Sequence, residues 1–138
     1  MLPKVELHYA EFKDWDLKPG VVYGPFKTRR QGNSLGINLL APMRKHCTFN
    51  CVYCQCGWTR EPVPTQPEDF ADYPSLDRIR EEVGNRFEEL LVEGNIPDAI
   101  IVSGNGEPTL YPHLEEAVDI ITEMRDRFFP RARTGVLT

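Results

Sequence analysis

Short apolar runs separated by polar stretches set the first pattern along the chain. Runs at 34–40, 98–103 and 134–138 are brief and are bounded by glycine, proline or charged residues. Uninterrupted apolar runs of this length are typical of strands buried on both faces. The sequence therefore predicts three buried strands, with a further short strand at 21–23.

Two longer stretches place apolar residues at spacings of three and four, the pattern of an amphipathic helix. Ser75 is suited to cap the first helix and Gly94 to end it. Pro112 suits the first position of the second helix, and Pro130 stops it. The order strand, helix, strand, helix, strand predicts a parallel sheet with right-handed crossovers.

Right-handed crossovers would place both helices on one face of the sheet. The other face would stay bare unless residues 1–33 cover it, whereas parallel sheets are normally buried on both faces. A closed β/α barrel needs about 200 residues. We therefore predict an α/β fold, the N-terminal portion of a partial (β/α) barrel with parallel strands, truncated after its third strand. Residues 1–33 would form an irregular N-terminal extension, and residues 34–138 would form an incomplete barrel domain. One face of its sheet would be open and apolar.

The composition indicates an ordinary globular protein but does not identify its function. The 138 residues are 41% hydrophobic and 27% charged, with a net charge of 16 − 21 = −5. This acidity gives no support for bulk nucleic-acid binding, which needs clustered lysine and arginine. Neither a signal-peptide pattern nor an apolar run of membrane-spanning length is visible, so we predict a cytoplasmic protein.

All four cysteines lie between Cys47 and Cys56, too close together to staple distant segments as disulfides. In a cytoplasmic chain such a cluster indicates a metal. Thiolates are the usual ligands of iron–sulfur clusters, and one compact loop can place three around one corner. Cys47, Cys51 and Cys54 thus predict three ligands of a [4Fe–4S] cluster whose fourth iron stays open for chemistry.

Two other interpretations of the cysteines stay open. A structural zinc site would take His46 or Cys56 as its fourth ligand, but zinc sites usually join two separated segments. Alternatively, the cysteines are inert thiols, and Cys56 in particular fits a free packing or loop thiol. Arg44 and Lys45 either offset the negative charge of a cluster or lie on the solvated surface.

The spacing Cys47-x3-Cys51-x2-Cys54, with Tyr53 before the last cysteine, resembles the signature of the radical S-adenosylmethionine superfamily. Residues 103–110, Ser-Gly-Asn-Gly-Glu-Pro-Thr-Leu, resemble that family's Gly-Gly-Glu motif, with Asn105 in place of the first glycine. Further similarity, over residues 21–60 and 98–114, is to a branch of iron–sulfur oxidoreductases related to the wyosine-forming tRNA enzymes.

The resemblance implies a [4Fe–4S] cluster and S-adenosyl-L-methionine as cofactors. It implies reductive cleavage of S-adenosylmethionine to a 5′-deoxyadenosyl radical, with a flavodoxin- or ferredoxin-like one-electron donor. It leaves the substrate unassigned, with RNA or a nucleotide as candidates. It also implies that the C-terminal half of the barrel is missing and would be a further partner. The residues it implies for cofactor binding are Tyr53, Gly104, Asn105, Gly106, Glu107 and Pro108.

Several of these residues have plainer interpretations. Glu107 would hold the methionine amino group, or would be only a charge at a helix N-terminus. Tyr53 would stack on the adenine, or would pack under the loop. Lys27, Arg29 and Arg30 would meet a phosphate of the substrate, although a solvated loop is favoured.

Both motifs directly follow predicted parallel strands. Active sites of β/α barrels form at the carboxyl ends of their strands, so we expect the cysteine loop and the Glu107 loop at one rim. Three functional classes remain: a radical S-adenosylmethionine enzyme or its N-terminal half, an iron–sulfur electron carrier, and a zinc-binding module. The Glu107 loop favours the first, because the other two have no use for it at that rim.

Overall fold

The computed structural model describes residues 16–138. Four strands form one sheet in the order β1-β2-β3-β4, and two α-helices connect the last three strands. Two short 3-10 helices lie in the loops, at Pro67–Phe70 and Pro108–Leu110. The main elements are β1 (Val22–Thr28), β2 (Gly32–Ile37), α1 (Leu76–Glu93), β3 (Ala99–Val102), α2 (Leu114–Phe128) and β4 (Arg133–Val136).

Strands β2, β3 and β4 are parallel, and the register aligns Ile37 with Val102 and Val102 with Val136. Their carboxyl ends therefore lie at one edge of the sheet, which we call the rim. This arrangement confirms the predicted α/β fold with parallel strands joined by helices, and it is compatible with part of a barrel. Truncation after the third strand stays a prediction.

The short strand predicted at 21–23 overlaps the start of a longer strand, although residues 1–33 as a whole were predicted to be an irregular extension. Within the described residues, β1 covers Val22–Thr28 and pairs with β2 in antiparallel fashion. The irregular assignment is therefore wrong for this segment, while residues 1–15 lie outside the described part of the chain. Pro25 is compatible with the strand because β1 is an edge strand and the register shifts between Tyr23 and Phe26.

The core lies between the sheet and both helices, as predicted. Alternate residues of β2 and β3 join the apolar faces of α1 and α2 in one buried cluster. Its principal members are Leu35, Ile37, Ile100 and Val102 from the strands, Ile79, Val83, Phe87 and Leu90 from α1, and Ala117, Ile120 and Ile121 from α2.

The opposite face of the sheet carries an open cavity of about 180 Å³. Phe26 and Leu137, which line it, are 54% and 55% exposed. Tyr23 covers Gly36, where a Cβ would overlap its ring, and its hydroxyl lies 2.9 Å from the Ser103 carbonyl oxygen. This face therefore has open apolar positions, but β1 covers part of it.

The first helix begins and ends where the sequence places it. The Ser75 hydroxyl accepts a hydrogen bond from the Arg78 amide (3.2 Å), and Gly94 ends the helix with φ +70°. The second helix begins two residues later than predicted: its first residue is Leu114, and Pro112 lies before it. Within residues 16–138 no helix is long and apolar enough to cross a membrane.

Removing the cap of α1 provides a test of this local structure. We expect Ser75→Ala to lower the free energy of unfolding by about 1 kcal/mol, because the Arg78 amide loses its side-chain acceptor. Ser75→Asp, which keeps an acceptor, should retain most of the stability. Chemical denaturation of the three proteins measures this, and equal losses in both variants would contradict the capping role.

Candidate metal and cofactor site

The two loops that carry the sequence motifs meet at the rim, as predicted. The cysteine loop follows β2 and the Glu107 loop follows β3. The His46 amide donates to the Asn105 carbonyl (3.0 Å), and the Glu107 amide donates to the His46 carbonyl (2.9 Å). These backbone hydrogen bonds join the residue before Cys47 to the Gly104–Glu107 turn. The cysteine loop therefore starts directly beside Glu107.

Gly106 allows this close approach. Its φ of +130° is rarely adopted by residues with a side chain, and a Cβ there would overlap the His46 carbonyl oxygen. A glycine is therefore required by the contact between the two loops. This reason is independent of any cofactor, and the role of Gly106 in cofactor binding stays a prediction.

Asn105 lies fully buried beneath the rim and joins three segments. Its side-chain amide donates to the carbonyls of Lys18 (2.8 Å) and Ala41 (2.9 Å), and its side-chain oxygen accepts from the Lys18 amide (2.7 Å). The Asn105 backbone amide in turn donates to the Asn38 side chain (3.1 Å). Asn105 therefore positions the turn, a role that sequence reasoning missed, and its role in cofactor binding stays a prediction.

The flanking residues of the turn are also packed closely. A Cβ on Gly104 would overlap the Asn38 side chain, and Pro108 is buried at the start of the short 3-10 helix. Asn38 is itself buried, and it follows the apolar run of β2 directly. A polar residue beside a buried apolar run needs hydrogen-bond partners. Asn38 was therefore the sequence signal for buried polar contacts beneath the rim.

Cys47, Cys51 and Cys54 are free thiols on one loop, Cys51 exposed and the other two half-buried. The Cys54 amide donates to the Cys51 carbonyl (3.0 Å), and the Gly57 amide to the Cys54 carbonyl (3.3 Å). The donor chemistry fits an iron–sulfur cluster. Within residues 16–138, however, no three Cys, His, Asp or Glu side chains already converge as a metal site. Their convergence on a cluster stays a prediction.

The two candidates for a fourth zinc ligand have other partners. The His46 ring is 3% exposed, with Nδ1 2.6 Å from the Tyr73 hydroxyl and Nε2 3.0 Å from a Glu61 oxygen. The Cys56 thiol donates to the Gly104 carbonyl (3.3 Å). Burial raises the pKa of Cys56 to about 11, so the group is a neutral thiol at neutral pH. These contacts agree with a packing or loop thiol.

The two basic residues before the cysteines are not free surface charges. Arg44 forms ion pairs with Glu61 (3.2 Å) and Asp72 (2.7 Å). Lys45 is 6% exposed, and its ammonium donates to the Gly57 carbonyl (2.7 Å). The solvated-surface interpretation is therefore wrong for Lys45, whose charge lies inside the cysteine loop.

Glu107 stands at the rim with its carboxylate held by two threonines. Its Oε1 accepts hydrogen bonds from the Thr109 hydroxyl (2.9 Å), the Thr109 amide (3.2 Å) and the Thr138 hydroxyl (2.7 Å). Burial by itself would raise the pKa of Glu107, but these hydrogen bonds outweigh it and lower the pKa below its ordinary value. The carboxylate is thus ionised at neutral pH. The carboxylate also caps the short 3-10 helix. The interpretation of Glu107 as a charge at a helix N-terminus therefore accounts for one of its contacts.

The lowered pKa of Glu107 predicts a pH-dependent effect of Thr138. The stabilisation is present above the ordinary value of 4.5 and is lost as pH falls through the lower folded-state pKa. We expect Thr138→Val to be less stable than the wild type at neutral pH, with a difference that shrinks as pH falls below 4.5. Thr138→Ser should behave as the wild type in denaturation at several pH values. A difference in stability that does not change with pH would contradict a hydrogen bond from Thr138 to the ionised Glu107 carboxylate.

Tyr53 projects from the cysteine loop and is 84% exposed. Packing under the loop is therefore wrong as an interpretation, and stacking on an adenine stays a prediction. A hydrogen bond with Cys51 raises the pKa of the Tyr53 hydroxyl. The neighbouring apolar side chains Phe49 and Val52 are also exposed, at 68% and 90%.

The basic cluster lies far from this rim. Lys27 is near the end of β1, and Arg29 and Arg30 form the turn that leads into β2. The cysteine loop follows the other end of β2, whose six residues span about 17 Å at about 3.3 Å per residue. A phosphate contact by this cluster stays a prediction, and its position favours the solvated turn.

Parallel strands with helical crossovers are compatible with part of a β/α barrel, and the three-cysteine loop and the glycine-glutamate loop lie together at the carboxyl ends of its strands. The profile of the Radical SAM superfamily matches residues 42–138. The chain belongs to this superfamily, as the sequence motifs predicted.

Curated relatives extend this comparison. The chain is 35% identical over 103 residues to a UPF0026 protein of Helicobacter pylori, covering 75% of the chain and 30% of that protein. A UPF0026 protein of Methanocaldococcus jannaschii is 30% identical, with the same shares covered. A protein named GTPase Obg in Brachyspira hyodysenteriae is 41% identical over 110 residues, covering 80% of the chain and 15% of that protein. The chain thus spans about a third of the UPF0026 relatives, and no solved structure gives a significant match.

Proposed function

We propose that this chain supplies the cluster-binding and methionine-binding part of a radical S-adenosylmethionine enzyme. Cys47, Cys51 and Cys54 would hold three irons of a [4Fe–4S] cluster, and the fourth iron would be left to S-adenosylmethionine. When bound, this cluster provides the electron that cleaves the sulfonium and yields a 5′-deoxyadenosyl radical. The substrate is unassigned, and RNA or a nucleotide is one candidate.

One observation carries the proposal: the backbone hydrogen bonds between His46 and the Asn105–Glu107 turn. They set the loop that bears three thiols beside an ionised carboxylate. A ligand bound to a metal on the loop would therefore lie at the same rim as that carboxylate. An iron–sulfur electron carrier or a structural zinc module has no need for this second loop.

The chain's own residues would bind and orient the cofactor. Glu107 suits an ammonium group because it is an ionised acceptor, and Thr109 and Thr138 fix its orientation. Exposed Tyr53 offers an aromatic face for the adenine. An external one-electron donor, flavodoxin- or ferredoxin-like, would have to approach the exposed side of the cysteine loop.

The contacts of His46 and Cys56 also support an open coordination site. A zinc module would need a fourth protein ligand, and both candidates already have partners in the chain. Three available thiols are the number that leaves one iron of a cubane without a protein ligand.

Electron spin resonance of the anaerobically reconstituted and reduced chain tests the proposal. We expect a [4Fe–4S] signal that changes on addition of S-adenosylmethionine. Glu107→Gln should keep the signal but weaken the response to the cofactor by more than about tenfold in concentration, because a hydrogen bond to a charged group is lost.

Thr65→Val is the matched control, since Thr65 lies in the proline-rich connector and is exposed. It should keep the wild-type response. A cluster whose signal ignores S-adenosylmethionine would support an electron carrier, and a colourless protein with stoichiometric zinc would support a zinc module. Either result would refute the proposed function.

A further inference from the structure

A buried positive charge lies within the cysteine loop. Lys45 is 6% exposed, although lysine is almost never buried without a partner. Its ammonium donates to the Gly57 carbonyl at 2.7 Å, across the segment that contains all four cysteines. Lys45 therefore closes the loop by a hydrogen bond between its two ends.

Gly57 connects this contact to a proposed cluster ligand. The Gly57 amide donates to the Cys54 carbonyl at 3.3 Å, and its φ of +78° turns the chain at this point. The Lys45 ammonium thus holds the turn that bears Cys54. The backbone of the next residue, His46, is fixed to the Glu107 loop. The charge is therefore anchored between the two loops of the rim.

The charge of Lys45 is largely shielded from water, because the residue is only 6% exposed. Its ammonium donates to the Gly57 carbonyl, and the Gly57 amide donates to the Cys54 carbonyl, so the charge lies two hydrogen bonds from the backbone of Cys54. Charges interact more strongly in a buried site than in water.

We propose that Lys45 is a positioning residue that closes the cysteine loop and makes the reduction potential of its cluster less negative. The proposal rests on the proposed function, because it needs a cluster on Cys47, Cys51 and Cys54. Reduction adds one negative charge to the cluster. A fixed positive charge nearby stabilises the reduced form, and net charge is one of the determinants of cluster potential.

Redox titration of the reconstituted chain, followed by electron spin resonance, tests this role. Lys45→Met keeps an unbranched side chain one atom shorter but removes its charge and its donor, so its midpoint potential should be more negative than that of the wild type. Lys45→Arg retains both properties, and its potential should stay close to the wild-type value. Lys27→Met removes an exposed lysine near the other end of the sheet and should leave the potential unchanged.

The same variants separate two effects of Lys45: its closure of the cysteine loop, measured by iron loading, and its charge, measured by the midpoint potential. Lys45→Met should load less iron than the wild type under limiting iron and sulfide, whereas Lys45→Arg should load as much. If Lys45→Met loads too little cluster to titrate, Lys45→Gln is measured in its place, with the same expected direction. A loaded Lys45 variant without charge and with the wild-type potential would overturn this inference alone. A wild-type chain that takes up no iron would overturn the proposed function itself.

Discussion

Replacing any one of Cys47, Cys51 and Cys54 with alanine is expected to lower the iron bound after anaerobic reconstitution by more than about tenfold. Loss of a supporting residue around a metal ligand already costs about 10–100-fold in affinity, and loss of the ligand itself should cost at least as much. The three variants should also lose the brown colour. Iron and sulfide analysis with visible absorption spectra measures the effect.

Cys56 provides the matched control on the same loop. Its thiol donates to the Gly104 carbonyl and belongs to the contact between the loops. Cys56→Ala should therefore retain the iron content of the wild type. If this variant lost as much iron as the other three, the ligand set proposed for the cluster would be wrong.

Gly106→Ala is expected to lower the free energy of unfolding by roughly 3 kcal/mol, the upper range for a single substitution. The new Cβ would overlap the His46 carbonyl oxygen, and φ of +130° is strained for alanine. The cysteine loop would have to move away from the Glu107 loop. Denaturant unfolding measures the loss, and the variant should also respond less to S-adenosylmethionine.

Gly94→Ala separates the backbone strain from the contact between loops. Gly94 has a positive φ of +70°, but no side chain of the described residues, apart from those of its chain neighbours, lies within 4 Å of a Cβ placed there. The substitution should therefore cost only about 1 kcal/mol. Equal losses at Gly94 and Gly106 would mean that the contact with His46 contributes nothing.

The helices and the parallel strands were predictable because their signals are local. Ser75 and Gly94 cap α1 as the sequence indicates, and the apolar spacing gives both helical faces. Only the start of β1 was predicted, as the short strand at 21–23, because Gly24 and Pro25 interrupt the pattern and the last three residues of β1 are exposed. Its pairing with β2 decides its structure, and a single-sequence pattern carries little information on pairing.

The candidate site was predictable in its position and less so in its contacts. Topology alone brings the loops that follow β2 and β3 to one rim, and hydrogen bonds between His46 and Glu107 bear this out. Asn38 in an apolar run indicated buried polar contacts, but the partners of Asn105 were not predictable because they are far apart in sequence, and the burial of Lys45 had no signal in the local pattern. Local pattern assigns such polar residues to the surface, whereas tertiary hydrogen bonds make their burial possible.

Iron Mössbauer spectroscopy of the reconstituted wild-type chain, with and without S-adenosylmethionine, tests the central claim most directly. The account predicts that three irons of each cluster keep their parameters while one iron shifts on binding of the cofactor. At a concentration that just saturates the wild type, that iron should shift in a smaller fraction of the Glu107→Gln clusters. Four equivalent irons that do not respond to the cofactor would contradict the claim that three cysteines leave one iron open.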